Sequence, residues 1–169
     1  MSSYEAAAAC AAGLLPRPVA VCGWSMGGLA AMMAARRVEP DALVLLEPSP
    51  PAEIEGVDES VTPEPGTFDG EEVYGPFPAG IASRPESLLA RTERKRGISV
   101  PSLPARTLVV SSRDFAEARG RALADHYGVE HHPFPEASHW DLVLDASIRA
   151  RISEWLQAEA ASSASPRRR

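Results

Sequence analysis

The sequence predicts an α/β fold, built as a mostly parallel sheet of about four strands with helices on both faces. Three observations support this prediction. Runs of consecutive apolar residues are typical of strands buried on both faces, because they lack the alternation of half-exposed strands. Segments with helical periodicity separate these runs, as in a parallel sheet. A length of 169 residues fits one domain, and no apolar run is long enough to cross a bilayer.

The first part of the chain predicts a helix, a strand and a second helix. Residues 4–15 are rich in alanine, the best helix former, and Pro16 and Pro18 end the helix. Residues 19–22 are small or β-branched and predict a short buried strand. Residues 26–37 carry apolar side chains at helical spacing and predict the second helix.

The remaining core elements follow from the same patterns. Residues 42–46 and 107–111 predict two further buried strands, and residues 129–134 predict a fourth. A helix is predicted between the last two strands, at residues 115–127. The last predicted helix has apolar residues at positions i, i+4, i+7 and i+8, which are Ile148, Ile152, Trp155 and Leu156.

The middle of the chain has a different composition. Residues 48–104 hold 10 of the 16 prolines, and residues 38–83 contain no lysine or arginine. We interpret residues 48–104 as a Pro-rich, lid-like insertion or mobile loop with one short helix near residues 86–94. The expected organisation is a single domain over residues 1–159 that includes this insertion, followed by a disordered tail at residues 160–169.

Composition limits the class of protein. There are 17 Lys and Arg against 23 Asp and Glu, a net charge of −6, which argues against a nucleic-acid partner. Cys10 and Cys22 are too few for a disulfide framework and are not spaced as a zinc site. The first charge is Glu5, so the start lacks the positive region of a signal peptide. We expect a cytoplasmic protein without a membrane span, a metal or a cofactor.

One motif carries chemistry. Gly23-Trp24-Ser25-Met26-Gly27 lies between a predicted strand and a predicted helix. A serine at the apex of such a tight turn is held in a strained conformation that projects its hydroxyl above the sheet. Flanking glycines remove side chains that would collide across the turn. The motif therefore predicts a nucleophilic serine at Ser25.

Residues 19–30 resemble the nucleophile elbow of the α/β-hydrolase superfamily, and the likeness extends over nearly the whole chain. The resemblance implies Ser25 as the nucleophile, His139 as the general base and Asp114 as the acid that orients the base, in the usual order along the chain. It also implies that the backbone N–H of Met26 stabilises the oxyanion. The position of Glu47, after an earlier strand, makes it the alternative acid.

Other assignments remain open at this stage. Asp114 could instead cap the helix that follows it. His126, His131 and His132 are expected at surface or strand positions rather than as the base. Trp24 and Trp140 flank the expected site and are candidates for the walls of a substrate pocket, although aromatic residues in such places often belong to the core.

The resemblance also implies a truncated fold. The family has several strands before the elbow, and a loop among them, often with a His-Gly pair, supplies the second oxyanion donor; this sequence contains no His-Gly pair. The strand at residues 19–22 would then be an exposed edge, which predicts a homodimer through that edge or through the surface left bare by the missing strands. The expected function is a serine hydrolase acting on a small acyl ester or thioester with an incomplete oxyanion hole. The alternative is a catalytically weak or inactive binding or assembly module.

Overall fold

A computed structural model of the protein describes residues 1–163, with side chains described through residue 158. Strands and helices alternate along most of the chain. In chain order the elements are α1 (Ser2–Gly13), β1 (Ala20–Trp24), α2 (Met26–Val38), β2 (Ala42–Leu46), α3 (Ala52–Glu55), β3 (Thr67–Asp69), α4 (Gly70–Tyr74), β4 (Pro85–Ser87), α5 (Leu88–Arg96), β5 (Thr107–Ser112), a π-helix (Ala116–Arg121), α6 (Ala122–Tyr127), β6 (Glu130–Phe134), α7 (Asp141–Leu144) and α8 (Ala146–Ser163).

Four parallel strands form the main sheet, in the order β1-β2-β5-β6. Val21 of β1 lies opposite Leu43 of β2, and Leu45 of β2 lies opposite Val109 of β5. The predicted α/β class, the parallel arrangement and the number of strands in the main sheet are confirmed. Because the strands are parallel, their carboxyl ends meet at one edge of the sheet, where ligands bind in open α/β sheets.

Strand β2 shows why a continuous run of apolar residues indicates a strand that is buried on both faces. All five of its residues are buried. Leu43 and Leu45 face a core that is shared with α2 and α6, whereas Val44 and Leu46 face a second core that is shared with α7 and α8. Each side chain of this kind contributes about 1.5–3 kcal/mol by its burial. The sheet is thus covered by helices on both faces.

Strand β1 is covered less completely because it lies at one edge of the sheet. Val21 packs against the core on the α2 face. On the opposite face Trp24 packs against the α8-side core, but Ala20 and Cys22 are exposed. The predicted edge position of this strand is therefore confirmed.

The predicted helix at residues 115–127 forms in two parts, a π-helix and then α6. Gly120 marks its closest approach to the sheet. A Cβ atom at this position would lie 2.4 Å from His131 Nε2 and 2.5 Å from Ser111 Oγ, so no larger residue fits without movement. Glycine here lets the π-helix pack directly on β5 and β6.

The Pro-rich segment contains more regular structure than its composition suggested. Strands β3 and β4 pair in an antiparallel two-stranded sheet, with Phe68 opposite Glu86. These strands were not predicted, because three residues are too few to show a period. The short helix predicted near residues 86–94 is α5, and Ser87 caps it by accepting a hydrogen bond from the Ala90 N–H at 3.2 Å.

The closing helix α8 packs its predicted apolar stripe on the sheet. Ile148, Ile152, Trp155 and Leu156 all belong to, or pack against, the core on that face. The helix extends to Ser163, into the tail that was expected to be disordered, and residues 164–169 lie outside the described part of the chain. Within residues 1–163, none of the helices is long and apolar enough to cross a membrane.

Candidate active site

Ser25 lies at a strained turn between β1 and α2. Its backbone has φ 53° and ψ −123°, a conformation that residues other than glycine rarely adopt. The turn is held from both sides: the Ser25 N–H donates to Leu46 O at 3.0 Å, and Ser25 O accepts from Gly28 N at 3.0 Å and from Ser49 N at 2.8 Å. Strain of this kind persists only where the surroundings enforce it, and it clusters at functional sites.

Two glycines make this turn sterically feasible. A Cβ atom on Gly23 would lie 2.4 Å from Gly27 O, and one on Gly28 would lie 2.6 Å from the Pro48 Cβ atom. Gly27, by contrast, has open space around it. The expectation that both flanking glycines prevent collisions therefore holds for Gly23 but not for Gly27, and Gly28 has that role instead.

The helix α2 begins directly after Ser25. Met26 is the first residue of this helix, so its N–H lacks an acceptor within the helix. The Ser25 side chain makes no capping hydrogen bond, so its hydroxyl is not used to cap α2. A hydroxyl beside helix N-terminal N–H groups is the arrangement that an oxyanion requires.

His139 lies on a short loop between β6 and α7. Upstream of it, Ala137 O accepts a hydrogen bond from Arg113 N at 3.1 Å, which fixes the loop to the end of β5. Downstream, Asp141 Oδ2 accepts from both the N–H and the hydroxyl of Ser138, at 2.8 and 2.7 Å. The His139 carbonyl accepts from Trp24 Nε1 at 3.1 Å. The imidazole is thus carried by a loop that is held at several points.

The carboxylate that contacts this imidazole is Glu47, at the end of β2. His139 Nδ1 forms a short hydrogen bond to Glu47 Oε2, with the glutamate side chain fully buried and the histidine side chain 24% exposed. Because a carboxylate only accepts, the proton of the neutral imidazole is on Nδ1 and the Nε2 lone pair is left to act as a base.

Glu47 is held by its backbone as well as by its side chain. Its φ is 45°, and its N–H donates to Val110 O at 2.7 Å. Its Oε1 atom accepts from the Ser112 N–H at 2.9 Å and from the Ser112 hydroxyl at 2.6 Å. Burial by itself would raise the pKa of Glu47, but the hydrogen bonds from His139 and Ser112 and the charge of His139 outweigh it and leave the pKa below its ordinary value. The group is therefore a carboxylate at neutral pH.

Asp114, the first choice for the acid, is placed elsewhere. It lies in the turn after β5, its side chain is 49% exposed, and its ion pair is with the neighbouring Arg113 at 3.5 Å. It does not cap the following helix either. The geometry thus favours the alternative, Glu47, because the Asp114 side chain is half exposed whereas the Glu47 carboxylate is buried against His139.

Aromatic rings surround His139. The Trp24 ring stacks on the imidazole, with the ring centres 4.6 Å apart and the planes 29° apart. Phe115 meets the imidazole edge-on at 6.1 Å. Trp140 contacts Trp24 at 4.7 Å and Phe77 at 5.0 Å. Both predicted tryptophans are therefore at the site, packed on each other, and Phe77 brings the Pro-rich segment to them. Sequence reasoning missed Phe77 because nothing in its local pattern points to the site.

The other histidines have partners away from this site. His131 Nε2 is hydrogen-bonded to Ser111 Oγ at 2.8 Å, and His132 pairs with Glu130 at 2.7 Å, both in strand β6 as expected. His126 packs against the adjacent Tyr127 ring. Within the described residues, no group of three or more His, Cys, Asp or Glu side chains is placed to hold a metal ion.

No protein-family model matches the chain, and a search of the curated proteins found no match. The strained turn at Ser25 and the hydrogen bond between His139 and Glu47 are therefore the basis for the functional proposal.

Proposed function

We propose that the protein is a serine hydrolase that cleaves a small acyl ester or thioester. One observation carries the proposal. Of the three non-glycine residues with positive φ in the described part of the chain, two are Ser25 and Glu47, and Glu47 is hydrogen-bonded to His139 Nδ1. Backbone strain at a serine and at the carboxylate partner of a histidine is expected where the fold enforces a catalytic arrangement.

Each residue then has a defined role. His139 Nε2 takes the proton of the Ser25 hydroxyl while Oγ forms a bond to the carbonyl carbon of the substrate. The carbonyl electron pair moves to oxygen, where the Met26 N–H stabilises it. The bond to the leaving group then breaks, and the leaving oxygen or sulfur takes the proton from His139. Water repeats the sequence on the acyl-enzyme and releases the acid.

Glu47 supports this cycle without exchanging a proton. Its carboxylate keeps the imidazole in the tautomer with the proton on Nδ1 and stabilises the imidazolium that forms. The bonds from Ser112 keep that carboxylate charged. The acid of the proposed triad is thus Glu47, and Asp114 is not part of it.

The same geometry bears on the polarity of the acyl group and on the turnover rate. The rings of Trp140 and Phe77, which contact each other at 5.0 Å, favour an apolar acyl group. Met26 supplies one oxyanion donor, and the loss of one donor typically costs about 10²- to 10³-fold in rate. We therefore propose slow turnover unless a partner chain completes the oxyanion hole.

A fluorophosphonate probe tests the proposal. We expect the wild-type protein to be labelled on Ser25 and Ser25→Ala to remain unlabelled, and we expect the wild type to hydrolyse p-nitrophenyl acetate or butyrate. The matched control is Ser49→Ala, which changes a nearby buried serine outside the proposed triad. If the wild type neither labels nor turns over either ester, the protein is instead a binding or assembly module with a hydrolase-like elbow.

We also propose that two copies associate through strand β1. This strand pairs with β2 on one side and lies at the edge of the sheet, and Ala20 and Cys22 on it are exposed. An apolar edge strand with unpaired backbone groups is prone to pair with another strand. Size-exclusion chromatography with light scattering should give a dimer at micromolar concentration, and Ala20→Glu should give a monomer. A wild-type monomer would rule out this association.

The proposal places the enzyme in the cytoplasm, acting on a small molecule and not on a nucleic acid. The two cysteines of the chain, Cys10 and Cys22, are both free thiols, which suits a reducing compartment. The net charge of −6 makes binding to phosphate backbones unfavourable. Fractionation of the cells that make the protein, followed by immunodetection, tests this location.

A further inference from the structure

Trp24 occupies the position directly before Ser25, yet its side chain reaches the loop that carries His139. Two contacts join them. The indole ring stacks on the imidazole with 4.6 Å between the ring centres, and the indole N–H donates to the His139 carbonyl at 3.1 Å. One side chain therefore holds both the ring and the backbone of the same histidine.

We propose that Trp24 is a positioning residue for His139. The Trp24 side chain couples the turn that carries Ser25 to the loop that carries His139. This inference rests on the proposed hydrolase function. The role of Trp24 is different from that of a pocket wall, because its ring face and its only polar atom are both used on His139.

The two contacts from Trp24 restrain His139 in a different way from the hydrogen bond to Glu47. The hydrogen bond to Glu47 holds the imidazole at Nδ1 but does not by itself fix the tilt of the ring plane. A stacked ring removes this freedom, since rotation of the imidazole would break the face-to-face contact. The hydrogen bond from the Trp24 N–H to the His139 carbonyl ties the backbone of the His139 loop to the end of β1. Together these contacts determine where Nε2 lies.

Stacking also favours the charged form that appears during the reaction. When His139 takes the Ser25 proton, a cation forms against the face of an indole, the aromatic ring that attracts cations best. The interaction is thus stronger in the transition state than in the resting enzyme. Interactions of that kind raise kcat rather than lower KM.

Two variants distinguish the effect of the hydrogen bond from the effect of the stacked ring. Trp24→Phe keeps an aromatic face but lacks the N–H, and Trp24→Leu keeps only apolar contact with the core on the α8 side. We expect kcat on p-nitrophenyl acetate to fall about 3- to 10-fold in Trp24→Phe, on the scale of one hydrogen bond. In Trp24→Leu we expect a fall of about 100-fold, as for a base displaced by about 1 Å, with KM unchanged.

The matched control is Trp155→Phe, in which a tryptophan on α8 loses an N–H that donates to Glu130 at 2.7 Å. It should keep the wild-type kcat, while thermal unfolding monitors the folding of all three variants. A Trp24→Leu protein that is folded and as fast as the wild type overturns the proposal.

A second measurement does not depend on activity. The stacked indole should shift the His139 Cε1–H resonance upfield in the NMR spectrum, and that resonance is identified by its loss in His139→Gln. In Trp24→Leu it should move downfield, and in Trp155→Phe it should not move. An unmoved resonance in folded Trp24→Leu also overturns the proposal. If the wild type fails to react with the fluorophosphonate, the hydrolase function fails, and the resonance still decides whether Trp24 holds His139.

Discussion

The ends of β2 and β5 are adjacent in the sheet, and each is followed by an acidic residue, but the two carboxylates have opposite environments. Glu47 directly follows β2 and is fully buried, with hydrogen bonds to His139 and Ser112. Asp114 follows β5 by two residues and is 49% exposed, with Arg113 as its ion-pair partner. The two regions present the same chemical group at the same edge of the sheet, and only one of them contacts the imidazole.

The backbone explains the difference. After β2 the chain enters a left-handed conformation at Glu47, and the Glu47 side chain reaches Ser112 at the end of β5. After β5 the chain enters a turn in which the Phe115 ring meets the imidazole, while the Asp114 side chain is half exposed and paired with Arg113. Ser112, the last residue of β5, donates to Glu47 from both its N–H and its hydroxyl. Which carboxylate contacts the imidazole thus depends on local turn geometry and not on the order of residues along the chain.

The largest effect is expected for Glu47→Gln. An amide has the same size but presents a donor on one side, so it either opposes Ser112 or offers its N–H₂ to Nδ1 of His139 and reverses the tautomer. By analogy with carboxylate-to-amide changes in Ser-His-Asp triads, kcat should fall by about 10⁴-fold. The measurement is the rate of fluorophosphonate labelling or ester hydrolysis, with circular dichroism as a check on folding. A folded variant with near wild-type rates would exclude Glu47 as the acid.

A smaller loss is expected for Ser112→Ala, which removes the 2.6 Å hydrogen bond from the hydroxyl but keeps the bond from the backbone N–H. A hydrogen bond to a charged group contributes about 1.5–3 kcal/mol. We expect the free energy of unfolding to fall by about that amount and kcat to fall about tenfold, since Glu47 would be held less firmly.

The neighbouring residue provides the control for that experiment. Ser111 is also buried on β5, but its hydroxyl bonds His131 on the side away from the site. Ser111→Ala should lose stability of about 1 kcal/mol while kcat stays unchanged. If both serine variants lose activity equally, the effect of Ser112 is general loosening of the strand rather than support of Glu47.

Much of the fold could be predicted from sequence, for a definite physical reason. A strand buried on both faces must be apolar at successive positions, so runs such as residues 42–46 report their environment directly. Gly23 and Ser25 likewise indicate a sharp turn, because a residue larger than glycine at position 23 would collide across it. The three-residue strands β3 and β4 carry no such pattern and were missed.

The site was predictable only in part. Sequence reasoning selected Ser25 and His139 as a pair and left two carboxylates open, and the structure brings His139 and Glu47 together. Nothing local to Asp114 indicates that its turn faces solvent, because that depends on where the following π-helix packs. The roles of Ser112 and Phe77 depend on contacts between segments that are distant in the chain, and their own neighbours in sequence carry no signal for them.

The pH dependence of the unfolding free energy should reflect the ionisation of Glu47. Its pKa is below the ordinary value of 4.5 in the folded protein, so the ionised form stabilises the fold above that pH, and the stabilisation is lost as the pH falls through the lower folded value. The difference in unfolding free energy between the wild type and Glu47→Gln should therefore shrink as the pH falls below about 4.5. Urea titrations at several pH values measure it. A difference that does not change with pH would show that Glu47 is not preferentially ionised in the fold.

The smallest effect is expected for Asp114→Asn, and it is the most direct test of the comparison. An exposed ion pair such as that between Asp114 and Arg113 contributes about 0–1 kcal/mol, so stability should change by less than 1 kcal/mol. Labelling of Ser25 should stay within about twofold of wild type, since in the described part of the chain Asp114 pairs with Arg113 and His139 pairs with Glu47. The double variant with Glu47→Gln should be no slower than Glu47→Gln alone. A loss of about 10³-fold in Asp114→Asn would instead mean that the turn after β5 rearranges to bring Asp114 to the imidazole during catalysis, and would reverse the assignment of the acid.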